Sequence, residues 1–168
     1  MATVGGNLFA PYPFGDFTVA LLALGATVSL EGELKSETVD LEKFLAGNTA
    51  SNVVVSLSFA EPSAGAFRFA KLIRRKPHGA SVLSNAALLP LAARKVTGAR
   101  IAYGAMAPRP IRARAVEMAL EGKPLDAASI GAAVAVATDG CAPLTDPQAS
   151  DWYRLEVLPV HLKRLLTV

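Results

Sequence analysis

Residues 81–92 read Ser81-Val82-Leu83-Ser84-Asn85-Ala86-Ala87-Leu88-Leu89-Pro90-Leu91-Ala92, a stretch that is almost wholly apolar. A run of this kind, bounded by turn-forming residues, reads as one long buried strand. Ala66–Ile73 before it and Ala99–Ala105 after it also read as strands, and Val96-Thr97-Gly98 makes the turn between the last two. The order predicts an antiparallel meander of three strands. Helical patterns follow. Pro110 is placed to start a helix over Ile111–Leu120, with Ile111, Ala115, Met118 and Ala119 at helical spacing and Gly122 beyond its end. Asp126 can cap the Ala-rich segment Ala127–Ala137. Ala149–Leu166 is the last helix, its stripe formed by Trp152, Leu155, Leu158, Leu162 and Leu165 and its course kinked at Pro159. Strands followed by helices argue for an α+β fold rather than an alternating parallel sheet.

Working toward the N-terminus, Glu61-Pro62-Ser63-Ala64-Gly65 gathers small and turn-forming residues and marks a boundary. We therefore expect two units, residues 1–60 and 61–168. In the first, Asn52–Phe59 is a β-branched alternating strand. Leu41–Ala46 is a short helix that begins at Asp40 and ends at Gly47-Asn48. Ala26–Leu30 and Lys35–Val39 flank Glu31-Gly32-Glu33 as a hairpin. Phe17–Leu24 is a buried helix closed by Gly25. Trp152 and Tyr153 are expected in or beside the core.

Composition bounds the function. The chain has 168 residues, 52% of them hydrophobic, and a net charge of +3. Its mean hydropathy of +0.36 fits either an Ala-rich globular protein or one whose apolar surface is covered by partner chains. No apolar stretch approaches the roughly 20 residues of a membrane span. The N-terminus lacks a basic segment followed by an apolar core, so no secretory signal is read and the cytoplasm is the expected compartment. Cys141 is the single cysteine, which excludes an internal disulfide and a Cys-ligated zinc or iron–sulfur site within these residues. His78 and His161 have no carboxylate pattern around them, so no metal site is expected. The basic clusters Arg74-Arg75-Lys76 and Arg109, Arg112, Arg114 lack interleaved aromatics. They read as solvated faces or as contacts to a phosphorylated small molecule, and nucleic acid is not an expected partner.

One ligand loop stands out. In Thr3-Val4-Gly5-Gly6-Asn7 two adjacent glycines let backbone N–H groups approach an anion, with hydrogen-bonding side chains on both sides. The turn could hold a nucleotide pyrophosphate. Asp16 either accepts from a sugar or ring donor or caps the helix behind it. Lys71 is a strand-face lysine or a cation near an anionic or redox group, and Tyr103 is a sheet aromatic or a stacking group. No nucleophile has a histidine partner, no carboxylate pair has useful spacing, and neither Gly-x-Gly-x-x-Gly nor a Walker loop occurs.

Taken together these segments resemble one family. Ala2-Thr3-Val4-Gly5-Gly6-Asn7-Leu8, Pro13-Phe14-Gly15-Asp16 and Ala20-Leu21-Leu22-Ala23-Leu24-Gly25-Ala26 are similar to the second half of the FAD-binding domain of molybdenum hydroxylases, such as carbon monoxide dehydrogenase medium subunits and the flavin portion of xanthine dehydrogenase. Phe69-Ala70-Lys71 with Arg74-Arg75, Ala99-Arg100-Ile101-Ala102-Tyr103-Gly104-Ala105-Met106-Ala107-Pro108, Pro110-Ile111-Arg112-Ala113 and Ala149-Ser150-Asp151-Trp152-Tyr153-Arg154 resemble that family's C-terminal domain. The resemblance spans essentially the whole chain. It implies the second half of a two-subdomain FAD-binding fold, followed by a C-terminal domain of a three-stranded antiparallel sheet packed with helices.

The function implied is that of an FAD-binding electron-transfer subunit, with Thr3, Gly5, Gly6 and Asn7 on the FAD pyrophosphate, Asp16 supporting the flavin nucleotide and Lys71 near the isoalloxazine. The molybdenum cofactor and 2Fe-2S clusters are expected on partner chains, an iron–sulfur subunit and a molybdenum-cofactor subunit. Electrons would run from molybdenum through the clusters to FAD and an external acceptor. The family also carries an earlier subdomain of roughly a hundred residues, a domain-sized unit with a second Gly-rich loop. That subdomain is not among these residues, and the Gly5-Gly6 loop stands close behind Met1. A misassigned start, a separate chain carrying the missing subdomain, or a degenerate remnant each accounts for this. Weak or no FAD binding by the chain alone is the expectation. The alternative is a non-catalytic docking module of the same fold that holds no FAD.

Overall fold

A computed structural model of the chain describes residues 3–32, 35–47, 53–75 and 79–167. Met1, Ala2, Glu33, Asn48, Asn52, Lys76 and His78, named above, lie outside the described residues. The first part runs α1 (Val4–Leu8), α2 (Asp16–Ala23), β1 (Thr27–Glu31), β2 (Ser36–Asp40), α3 (Leu41–Ala46) and β3 (Val53–Ser58). The second runs β4 (Phe67–Ile73), β5 (Ser81–Leu88), β6 (Leu91–Ala92), β7 (Lys95–Val96), β8 (Arg100–Gly104), β9 (Ile111–Arg112), α4 (Arg114–Leu120), α5 (Ala127–Ala135) and α6 (Asp151–Thr167). The strands form sheets ordered β2-β1-β3, β4-β5-β8-β9 and β6-β7, all antiparallel. The α+β expectation holds.

Strand β5 shows why residues 81–88 are so apolar. Successive side chains of a strand point to opposite faces, and here both faces are covered. Leu83 and Ala87, with Ile101 and Tyr103 of β8, pack on Val116 and Leu120 of α4, Ile130 of α5 and Leu158 and Leu162 of α6. On the other face, Ala86 and Ala102 pack against Val19 and Leu22 of α2 and join the core of β1 and α3. Alanines on that face let α2 lie close. The approach is tightest at Gly104, where a Cβ would collide with Ser84 Oγ and lie 2.7 Å from Val19 Cγ2. The central sheet therefore joins the two parts of the chain across one interface.

Several elements differ from the sequence reading. β5 ends at Leu88, because Pro90 has no N–H to give a ladder. Leu91–Ala92 instead pairs with Lys95–Val96 around Ala93 and Arg94, both at positive φ (49° and 63°). Ile111–Arg112 is not helical. It is β9, a fourth strand beside the three expected, with Ala102 opposite Arg112 and Tyr103 opposite Ile111. Helix α4 starts only at Arg114, so Pro110 does not open it, and Met118 is exposed. α6 runs as one helix through Pro159, with Leu158, Leu162, Leu165 and Leu166 buried. Trp152 is 67% exposed and Tyr153 42%, because the inward position of the first turn is taken by Arg154, which is fully buried.

The caps read from sequence at Asp40, Asp126 and Gly25 are in place. The Asp40 carboxylate accepts the Glu42 N–H at 2.8 Å, and Asp126 forms a capping box with Ser129. Gly25 sits at φ +69 just past α2. Among the described residues no helix is long and apolar enough to cross a membrane, and no cluster of three metal-ligating side chains occurs.

Candidate functional site

Gly5 and Gly6 lie in the first turn of α1 rather than in an open loop. Glycine disfavours helix by about 1 kcal/mol per residue relative to alanine, so this short helix needs local support. Thr3 provides it: extended at φ −118, it accepts the Gly6 N–H on Oγ1 at 3.0 Å. Leu8 adds the single buried side chain. A Cβ on Gly6 would come within 2.8 Å of Thr3 Oγ1, whereas a Cβ on Gly5 would meet nothing within 4 Å. Gly6 is thus required by the cap. Gly5 leaves open, side-chain-free backbone at the surface.

Asn7 ties α1 to α2. Its Oδ1 accepts the Phe17 N–H at 3.1 Å and its carbonyl accepts the Thr18 hydroxyl at 2.9 Å. The cap expected of Asp16 is therefore supplied by Asn7, behind Gly15 at φ +105. The Asp16 carboxylate turns instead to the central sheet. Both of its oxygens accept from Ser81 Oγ at 2.8 Å, and Oδ2 pairs with Lys71 Nζ at 3.2 Å. Ser81 is 3% exposed, so this acceptor–donor set is anchored in the core at one end and open to solvent at the other. Lys71 is consequently an ion-paired strand lysine. The six residues singled out in the sequence lie along one run of contacts, from Thr3 through α1 and Asn7 to the N-terminus of α2, then from Asp16 to Lys71.

Tyr103 is not part of this run. It is fully buried on the opposite face, and burial raises its hydroxyl pKa, so it is a neutral sheet aromatic. Cys141 is half-buried and its thiol is pushed up to about 11 by burial, which keeps it protonated and unreactive. In the basic cluster around residues 109–114 only Arg112 is internal, forming paired hydrogen bonds to the buried Glu117 carboxylate, while Arg109 and Arg114 are exposed; both Arg112 and Arg114 meet Glu42 of α3. Arg74 donates to the carbonyls of Pro147 and Gln148.

Sequence reasoning missed the residues that brace the site. Arg154 donates to the carbonyls of Val82, Leu144 and Ala149 and to the Asp146 carboxylate at 2.8 Å. Its guanidinium also stands 5.4 Å over the Tyr12 ring. The Tyr12 hydroxyl donates toward the Leu144 and Ala105 carbonyls, fixing the segment between α1 and α2 to the second part of the chain. Asp146 is held below the usual carboxylate range. Burial, the largest influence, raises it, but hydrogen bonds from Arg154, Gln148 and Ala149 and the Arg154 charge together outweigh that.

The comparisons with known proteins agree with this architecture. The chain belongs to the family of flavoproteins of molybdopterin-type dehydrogenases: the model for the CO dehydrogenase flavoprotein C-terminal domain matches residues 68–167, and that for the FAD binding domain in molybdopterin dehydrogenase matches residues 1–58. Among its relatives is the glyceraldehyde dehydrogenase medium chain of Sulfolobus acidocaldarius, 30% identical over an alignment of 166 positions that covers 95% of this chain and 58% of that protein. A carbon monoxide dehydrogenase from Hydrogenophaga pseudoflava lacking the Mo-pyranopterin moiety superposes with a TM-score of 0.90 at 27% identity, over 99% of this chain and 60% of that one. Quinoline 2-oxidoreductase from Pseudomonas putida 86 gives a TM-score of 0.81 at 27% identity, over 99% of this chain and 59% of that one. The chain thus spans about three-fifths of the length of these relatives, and the resemblance read from its segments is borne out.

Proposed function

We propose that the chain forms one wall of an FAD site in the flavin-carrying part of a molybdenum hydroxylase. The observation that carries this reading is the run of contacts from Thr3 to Lys71, because it gathers residues from both matched stretches onto one surface. The surface fits one side of a dinucleotide. Gly5 offers backbone with free space above it, and the Asp16 carboxylate is oriented by Ser81 and Lys71 as an acceptor for hydroxyl or amide donors. It is a wall and not an enclosed cavity, so the remaining contacts are assigned to polypeptide outside these residues, on the same or a separate chain.

FAD, when bound, supplies the redox chemistry: it accepts electrons and passes them to an external acceptor. The chain's own residues bind and orient. Thr3 holds the α1 turn, Asn7 fixes α1 against α2, and Asp16 and Lys71 set the charge at the exposed end of the sheet. The electrons are proposed to arrive from 2Fe-2S clusters on an iron–sulfur subunit, after substrate oxidation at a molybdenum-cofactor subunit. We place the boundary between the FAD-binding and C-terminal units at residues 60 and 61.

Isolation of the assembled complex through a tag on this chain tests the proposal. Yellow flavin absorbance together with iron and molybdenum is expected. A colourless chain with no such partners favours the docking module instead.

A further inference from the structure

Among the described residues, four buried side-chain polar atoms meet no hydrogen-bond partner: Nδ2 and Oδ1 of Asn85, the Tyr103 hydroxyl and Arg100 Nε. Arg100 is half-buried and lies beside Gly25. The other three atoms belong to one pair. Asn85 of β5 stands directly opposite Tyr103 of β8, and both residues are 0% exposed. Side chains alternate between the faces of a strand, so Asn85 shares the face of Leu83 and Ala87, and Tyr103 that of Ile101. That face is covered by α4, α5 and α6. A buried polar group that forgoes its hydrogen bond loses what solvent would have given it, and such groups in folded proteins nearly always have a partner. Two of them side by side on central strands mark a place where something binds.

The chemistry of the pair limits what that is. The amide offers two donors and an acceptor, and the hydroxyl one donor and an acceptor. Side chains stand roughly perpendicular to a sheet, and a tyrosine ring carries its hydroxyl beyond the reach of an asparagine amide. The two polar groups therefore sit at different depths and do not bond each other, so their occupant spans a short step between them. The surroundings are apolar, with Leu83, Ala87, Ile101 and Met106 in the same core. Glu117, the carboxylate whose charge reaches Tyr103, is committed to Arg112 and the Ile101 N–H, which leaves no charge to hold an ion. A small neutral molecule that both donates and accepts fits this setting, and water does so with about two to four polar contacts.

We propose that the Asn85 amide and the Tyr103 hydroxyl jointly hold one buried water molecule, which bridges β5 to β8 on the helical face of the central sheet. The next pair in the register, Ser84 opposite Gly104, faces the other way, where Val19 of α2 comes closest. The bridge thus fixes the two strands at the point on which α2 rests. It stands independently of the FAD reading.

A crystal structure of the chain at a resolution that shows ordered water tests this, together with a double-variant cycle. The expected map has one water-sized peak within hydrogen-bond distance of both side chains. Asn85→Leu and Tyr103→Phe should each lower the urea midpoint, because each leaves the other polar group without its bridge. The double variant removes both polar groups with little change of shape, and it should lose clearly less than the two losses added. A direct bond between Asn85 and Tyr103, no peak, or a peak touching only one of them would overturn the proposal. So would losses that simply add, since the two side chains would then act separately. If the variants fail to fold, the map of the wild-type chain decides alone.

Discussion

Asp16 at the start of α2 and Lys71 on β4, 55 positions apart, form an ion pair of 3.2 Å whose carboxylate is also held by the buried Ser81 hydroxyl. Both charged side chains remain partly exposed, at 29% and 37%. Pairs of this kind contribute about 0–1 kcal/mol to stability. Lys71→Met should therefore shift the urea midpoint of the chain little, while lowering the FAD content of the assembled complex. A large loss of stability with unchanged flavin would assign the pair a purely structural role.

Arg154 is the opposite case. It is fully buried and serves three carbonyls and one carboxylate. Removing one partner of a buried pair costs about 3–5 kcal/mol, because the other is left desolvated. Arg154→Met should cost that much in denaturant unfolding, and Asp146→Asn less, since the three carbonyls keep their donor. Equal losses would show that the charge, and not the carbonyl contacts, carries the effect.

The Arg154–Asp146 pair also sets a pH dependence. The folded-state pKa of Asp146 lies below the unfolded value of 3.8, so the unfolded chain binds more protons through that interval. The pair's stabilisation is complete above pH 3.8 and is lost as pH falls through the lower folded value. Unfolding free energy measured across the acid range should drop less steeply in Asp146→Asn than in the wild type.

Gly104 tests the joint between the two parts of the chain. A Cβ there would meet Ser84 and Val19, and overpacking of a close interface costs about 1–3 kcal/mol. Gly104→Ala should lower the melting temperature in a single cooperative transition. Two separated transitions would mean that α2 and the central sheet do not melt together.

What the sequence disclosed follows from how local each cause is. Asp40, Asp126 and Gly25 act within one or two turns of their own helices, so their roles were legible, and β5 was legible because covering both faces demanded an apolar run. Residues 111–112 match a helical period by chance, and only the edge of β8 makes them a strand. The α1 helix was hidden behind two glycines, the poorest helix formers after proline, and depends on the Thr3 cap. Ser81 and Arg154 gave no local signal at all. Their partners come from residues 16, 82, 144, 146 and 149, and such convergence exists only once the chain has folded.

The flavin content of the complex carrying Gly5→Leu tests the central claim most directly. A side chain at Gly5 meets no protein atom within 4 Å and removes a helix penalty of about 1 kcal/mol, so the fold itself is left intact or slightly stabilised. The predicted result is normal assembly and melting with FAD lowered by about tenfold, a loss of about 1.4 kcal/mol in binding. Full flavin occupancy in that variant would contradict the assignment of the Gly5 surface to FAD.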